Sequence, residues 1–258
     1  MTIAAISLAE PVGPDGAPLL VLGPSLGTST LLWSTTIPAL AERYRVIAWD
    51  LPGHGAAPAA TAGFTVGELA DAVASAVDAP FLYAGVSLGG SVGLELLVRH
   101  PDRVRAAAIV CSGAAIGEPE AWHERAAQVR AQSTSTLIAG SAQRWFAPGS
   151  IERNPDITGR LLHALQDADD ESYALCCEAL ATFDVRDRLG EIAVPVLAVW
   201  GAYDGVTPET SAVEIAEGVQ RGRAVGIPNA SHLAPADDPV ATAAALRDFF
   251  DPVVGGAA

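Results

Sequence analysis

The sequence predicts an α/β protein, a mostly parallel and doubly wound sheet with one helical segment inserted into it. Three observations predict this. Short apolar runs alternate with helix-like stretches, and the runs are apolar at consecutive positions, as strands covered on both faces must be. The stretch from Ala114 to Gly190 has no strand pattern and interrupts the alternation. Finally, Gly85-Val86-Ser87-Leu88-Gly89-Gly90 has the form G-x-S-x-G and stands between an apolar run and a helical stretch.

Taken in order, Thr2 to Glu10 reads as a strand, followed by a Pro/Gly turn from Pro11 to Pro18. Leu19 to Leu22, Arg45 to Asp50, Phe81 to Gly85, Ala106 to Cys111, Val196 to Trp200 and Arg223 to Ile227 read as further strands. Helices are expected at Ile37 to Arg43, Val66 to Val77, Ser91 to Arg99 and Glu209 to Gln220, the third stopped by Pro101. Inside the interruption, helices are expected at Glu118 to Gln132, Ser135 to Trp145 and Ser172 to Ala181. The expected division is a core of residues 1–113 and 190–258, with residues 114–189 as a helical cap. The cap falls between the strand after Ser87 and the strand before a candidate acid, which suits a lid over a site. The tail from Val253 to Ala258 reads as frayed.

Composition narrows the function classes. The chain has 258 residues, half of them apolar, enough for a large core without disulfide staples. Its net charge is −15 and it contains no Lys, so every basic side chain is Arg. Such a surface repels nucleic acid and anionic membranes, and an anionic ligand would need an Arg in its pocket. No apolar run reaches the length of a membrane span. The N-terminus lacks a basic region, so no signal peptide is expected and the cytoplasm is the expected compartment. Cys111, Cys176 and Cys177 are odd in number and suit buried small hydrophobes rather than a disulfide framework. None has metal-ligand spacing with a His, and no G-x-G-x-x-G opens a helix after an early strand. No metal and no cofactor are expected, and no oligomeric state follows from the sequence.

The chemistry centres on Ser87. A serine on a strained strand-to-helix corner presents its hydroxyl, provided that the neighbours at Gly85, Gly89 and Gly90 are small. A serine hydroxyl needs a base, and this architecture orders the set Ser, acid, His along the chain. His54 and His100 do not fit that order, and His123 and His163 fall in the cap. His232 follows the last expected strand and fits. Asp204, in the Gly/Pro loop after Val196 to Trp200, is the expected acid, with Asp184 and Asp187 as fallbacks. The backbone N–H groups of Leu88 and Leu26 are the expected donors to an oxyanion. Trp122 and Arg125 share a helix face at i and i+3. Were the ligand an anion, Arg125 would be the expected partner, with Arg130 and Arg144 as competitors, and Trp122 could pack on a ring. Trp145 can meet the ligand but fits the cap core better.

These segments together resemble the 3-oxoadipate enol-lactonases of the α/β-hydrolase superfamily over nearly the whole length. The likeness rests on Ser25-Leu26-Gly27-Thr28 with Trp33, on Trp49-Asp50-Leu51-Pro52-Gly53-His54-Gly55, and on the serine corner. In the cap it rests on Trp122-His123-Glu124-Arg125, Arg144-Trp145-Phe146 and Tyr173 to Leu180. The sequence departs from the family at Ala56, usually Ser, and around the base at Ser231 to Asp237. The resemblance implies an α/β-hydrolase fold and hydrolysis of 3-oxoadipate enol-lactone, a small anionic lactone, in aromatic catabolism. Other hydrolases on the same fold are the nearest alternatives: a carboxylesterase, a C–C hydrolase or a perhydrolase. A non-catalytic ligand receptor is the alternative of a different class.

Overall fold

The computed structural model describes residues 4–255. Seven strands form one sheet: β1 (Ser7–Leu8), β2 (Leu19–Gly23), β3 (Arg45–Asp50), β4 (Phe81–Val86), β5 (Val104–Val110), β6 (Val196–Gly201) and β7 (Gly222–Ile227). Their order across the sheet is β1-β3-β2-β4-β5-β6-β7, and only β1 runs antiparallel to its neighbour. All six residues of β4 are buried, so this strand is covered on both faces, as its unbroken apolar run requires.

The helices, in chain order, are α1 (Ile37–Leu40), α2 (Val66–Ala76), α3 (Leu88–Arg99), α4 (Pro119–Gln132), α5 (Ile138–Trp145), α6 (Ser150–Arg153), α7 (Pro155–Asp167), α8 (Asp170–Ala181), α9 (Glu209–Gly218), α10 (Ala234–Asp237) and α11 (Pro239–Gly255). Local chemistry fixes several starts. Thr65 caps α2 through Glu68 N, and the Glu68 carboxylate reaches back to Thr65 N, a complete capping box. Asp169 caps α8 by accepting from Ser172 N at 2.8 Å. Helices α4 to α8 all lie between β5 and β6, where the sequence has no strand pattern.

Several expectations differ from what is found. The first strand is only Ser7–Leu8, pairing with Asp50 and Trp49; Met1 to Ile3 lie outside the described residues. Pro11 explains the far limit, because it has no N–H to give to a ladder. The expected helix from Ile37 to Arg43 ends at Leu40 and gives way to turns. Helices α6 and α7 lie where the sequence reading placed none. Val253 to Gly255 belong to α11 rather than to a frayed end, and 256–258 lie outside the described residues.

The strand order positions the site. The chain goes from β2 outward to β3, then crosses back so that β4 flanks β2 on its other side. The carboxyl ends of β2 and β4 therefore stand side by side at a topological switch point, with Gly23 opposite Gly85. The loops leaving these two strands are the Ser25–Gly27 turn and the Ser87 corner.

Candidate active site

Ser87 has φ 54° and ψ −117°, a left-handed backbone that a serine adopts only under constraint. The constraint is visible on both sides. Ser87 N donates to Val110 O at 3.0 Å, and Ser87 O accepts from the Ser112 hydroxyl at 2.7 Å and from Ser91 N at 2.9 Å. Gly89 N donates to Pro24 O at 2.9 Å, which binds the corner to the loop after β2. A Cβ on Gly85 would strike the Gly89 carbonyl, and one on Gly89 would sit 2.6 Å from Pro24 O. Those two glycines answer a close approach of backbone to backbone.

His232 follows β7, and its Nδ1 lies 2.9 Å from Asp204 Oδ2. Asp204 follows β6, and its carboxylate is fully held. Oδ1 accepts from Val206 N at 2.8 Å and Thr207 N at 3.1 Å, and Oδ2 accepts from the Thr207 hydroxyl at 2.8 Å. Burial pushes the Asp204 carboxyl up, but the His232 charge, its hydrogen bond and the Thr207 donors outweigh burial and hold it below the usual carboxylate range. Asp204 and His232 are both buried. An ionised Asp204 against Nδ1 favours the tautomer with Nδ1–H, leaving Nε2 as a proton acceptor.

Ser87 and His232 line one cavity of about 240 Å³. Among the described residues no hydrogen bond joins Ser87 Oγ to the imidazole; the two residues share the wall of this one cavity. Hydrogen bonds of this kind are commonly long before a ligand is bound. The sheet side of the wall adds Ser25 and Leu26. Leu26 N and Leu88 N, both on buried residues, have no acceptor among the described residues. Leu88 N stands in the first turn of α3, where no helix carbonyl reaches it, and Leu26 lines the cavity, so both amides are free to donate.

The helices supply the opposite wall: Trp122 and Arg125 of α4, Arg144 and Trp145 of α5, and Tyr173 of α8. The Arg125 guanidinium stands 5.1 Å from the centre of the Trp122 ring. Among the described residues, neither Arg125 nor Arg144 pairs with a carboxylate, although the chain carries 30 acidic residues. Partial burial and then the Arg125 charge push the Arg144 guanidinium down. Glu118 lines the same cavity without pairing with either arginine, so the two guanidinium groups outnumber the one carboxylate there.

Competing candidates stand apart from the cavity. Arg130 is spent on Glu171, at 2.7 and 2.8 Å, and on Glu178, which locks α4 to α8. Asp184 is bonded to Arg186, and Asp184 and Asp187 are both exposed. His54 is buried and neutral, pushed down to about 4 by burial, with Nδ1 on Pro52 O. His100 binds Asp71, and His123 and His163 lie at or near the surface. Trp145 is both buried core and cavity wall, so the two expectations for it are not exclusive. Tyr173 was not singled out from sequence, yet it is buried in the wall and stacks on His54, rings 6.1 Å apart. Its signal was present in the cap segment it opens, but no spacing rule points a helical Tyr at a cavity.

The α/β hydrolase fold model matches residues 18–239. The chain is 34% identical to 3-oxoadipate enol-lactonase 2 of Acinetobacter baylyi, over 89% of this chain and 87% of that one. It is 32% identical to a pimeloyl-[acyl-carrier protein] methyl ester esterase of Neisseria meningitidis, over 93% of this chain and 96% of that one. Among solved structures, the enol-lactonase of Burkholderia xenovorans LB400 superposes with a TM-score of 0.91 at 30% identity, covering 95% of this chain and 96% of that one. The sheet order, the serine corner and these relatives agree: the chain belongs to the α/β hydrolase fold family.

Proposed function

We propose that this α/β hydrolase opens 3-oxoadipate enol-lactone to 3-oxoadipate, with Ser87 as nucleophile, His232 as base and Asp204 as the acid that orients it. The observation that carries the choice of substrate is a pair of arginines without ion-pair partners, Arg125 and Arg144, lining the same small cavity as Ser87, where they outnumber the single carboxylate of Glu118. A lactone with a free carboxylate answers that charge, and the 34% identity to an enol-lactonase agrees.

In this reading residues 114–189 form a cap that holds the carboxylate, and the sheet edge performs the chemistry. Ser87 Oγ attacks the lactone carbonyl while His232 Nε2 takes its proton. The oxyanion is met by Leu26 N and Leu88 N. Collapse of the tetrahedral intermediate breaks the ring C–O bond, and His232 gives the proton to the departing enol oxygen. That oxygen stays tethered to the acyl chain, so reclosure is fast in principle. Protonation and conversion of the enol to the ketone remove the nucleophile that would reclose the ring. Water, deprotonated by His232, then attacks the acyl-enzyme, and the proton returns to Ser87 as the new carboxylate leaves.

A second reading follows from the methyl ester esterase relatives. It makes the reacting end of the substrate a neutral methyl ester, for which two unpaired arginines have no evident use. Purified protein offered the enol-lactone and dimethyl pimelate separately tests both. Loss of lactone absorbance with slow methyl ester turnover is the expected result, and the reverse ranking would replace the proposal.

A further inference from the structure

Both neighbours of His232 are held by one short stretch of backbone at the end of α5. Ser231 N donates to Asp237 Oδ2 at 2.7 Å, and the same oxygen accepts from Ala147 N at 2.9 Å. Leu233 N donates to Trp145 O at 3.0 Å. The Ser231 hydroxyl lies 3.1 Å from Arg144 O and 3.1 Å from Tyr203 O. Arg144 and Trp145 form cavity wall, whereas Asp237 lies outside that cavity.

Asp237 is 6% exposed, a costly place for a carboxylate. Its Oδ1 is buried without a hydrogen-bond partner among the described residues, although the Ser150 hydroxyl nearby favours its charged form. Burial raises this carboxyl above its ordinary range. What retains it is the pair of amides on Oδ2, each of which would otherwise be a buried donor without an acceptor.

We propose that Asp237 is a positioning residue: by taking the Ala147 and Ser231 amides on one oxygen, it locks the His232 loop to the segment carrying Arg144 and Trp145. The base and that part of the ligand wall then move as one body. This rests on the reading of His232 as the base that serves Ser87. A misplacement of about 1 Å at a base costs on the order of 100-fold in rate, so a loop tether is enough to matter.

The test uses diisopropyl fluorophosphate, a neutral reagent that requires no lactone. The Ser87 Oγ–P bond forms as the P–F bond breaks, fluoride leaves, and His232 takes the hydroxyl proton. In Asp237→Ala, kinact is expected to fall about tenfold or more while KI stays within about threefold, in protein whose folded fraction is fixed by circular dichroism. Asp237→Asn keeps an oxygen that can accept both amides, and it is expected to bring kinact back to within about threefold of wild type. A lower melting temperature with unchanged kinact overturns the proposal, and so do equal losses in the two variants. Ser87→Ala labelled as fast as wild type would instead discard the reading of the site. Hydrogen exchange on the unaltered protein covers an Asp237→Ala chain that does not fold. The amides of Ala147, Ser231 and Leu233 are expected to share one opening, with protection agreeing within about threefold. A separation of about tenfold or more between position 147 and positions 231 and 233 overturns the tether.

Discussion

The two walls of the cavity are built differently. On the sheet side, Ser87, Asp204 and His232 are set by backbone contacts: a corner at φ 54°, glycines that admit no Cβ, and a carboxylate with every oxygen occupied. On the helical side, Trp122, Arg125 and Arg144 project from helix surfaces, and the two arginines have no ion-pair partner among the described residues. Backbone-fixed groups cannot shift without disturbing the sheet. Side chains on helices can be exchanged at little cost to the fold. Under the proposed function the contrast is a division of labour, with the reaction type residing in the sheet edge and the choice of substrate in the helices. Changes on the sheet side should therefore lower kcat, and changes on the helical side should raise KM.

The largest expected effect is at the nucleophile. Ser87→Ala should cut lactone turnover by roughly 10⁵-fold or more, leaving what the oxyanion donors and binding supply. Near-normal absorbance loss from lactone with this variant would end the covalent route. Next comes Asp204→Asn, expected to lower kcat by about 10⁴-fold with KM nearly unchanged, because an amide selects the wrong imidazole tautomer. A loss confined to KM would move Asp204 from the reacting side of the comparison to the binding side.

The same division explains what sequence made legible. Strands β2 to β7 were readable within one or two residues, because short continuous apolar runs bounded by turn signals suit strands buried on both faces. That Asp204 and His232 would meet, and that Ser87 would share a cavity with His232, was legible because the fold orders the loops that carry them. The weaker readings fell on the helical side. Helix α7 keeps Ile157, Leu161 and Leu165 on one face at i, i+4 and i+8, but Pro155 and Gly159 in its first turns read as a loop. The choice among Arg125, Arg130 and Arg144 depended on who pairs with Glu171 and Glu178, a contact 41 to 48 residues away in sequence. In the sequence Asp237 marks only the end of the stretch that departs from the family around the base, since its partner Ala147 is 90 residues distant.

A smaller effect tests the seam between the two walls. His54, on the sheet side, stacks against Tyr173 of α8, and burial holds its imidazole down at about 4 against an ordinary 6.5. Between those values the unfolded chain binds a proton that the folded one refuses, so stability falls as pH drops through this window. The fall attributable to His54 is roughly 3 kcal/mol from pH 6.5 to 4. Urea midpoints at several pH values for wild type and His54→Asn isolate it, and the variant should lack that part of the slope. Equal slopes would mean that the seam does not sense acid through this imidazole.

The smallest effect discriminates most sharply within the helical wall. Arg125 is half-buried, and Arg144 is exposed at the mouth. The Arg125 guanidinium is held over the Trp122 ring, so a carboxylate meeting it has little left to order, and a charge-assisted contact there is worth about 1.5–3 kcal/mol. Arg125→Ala should therefore raise KM for the anionic lactone by about 10- to 100-fold. It should leave kcat, and the turnover of a neutral ester such as p-nitrophenyl acetate, nearly unchanged. Arg144→Ala should raise the same KM only a few-fold, by about 1 kcal/mol or less, and that effect should fade with added salt. Steady-state kinetics on both substrates, at low and high ionic strength, reads all four values. If Arg125→Ala slowed the neutral ester as much as the lactone, Arg125 would be supporting the site rather than choosing its ligand, and the helical wall would lose its separate role.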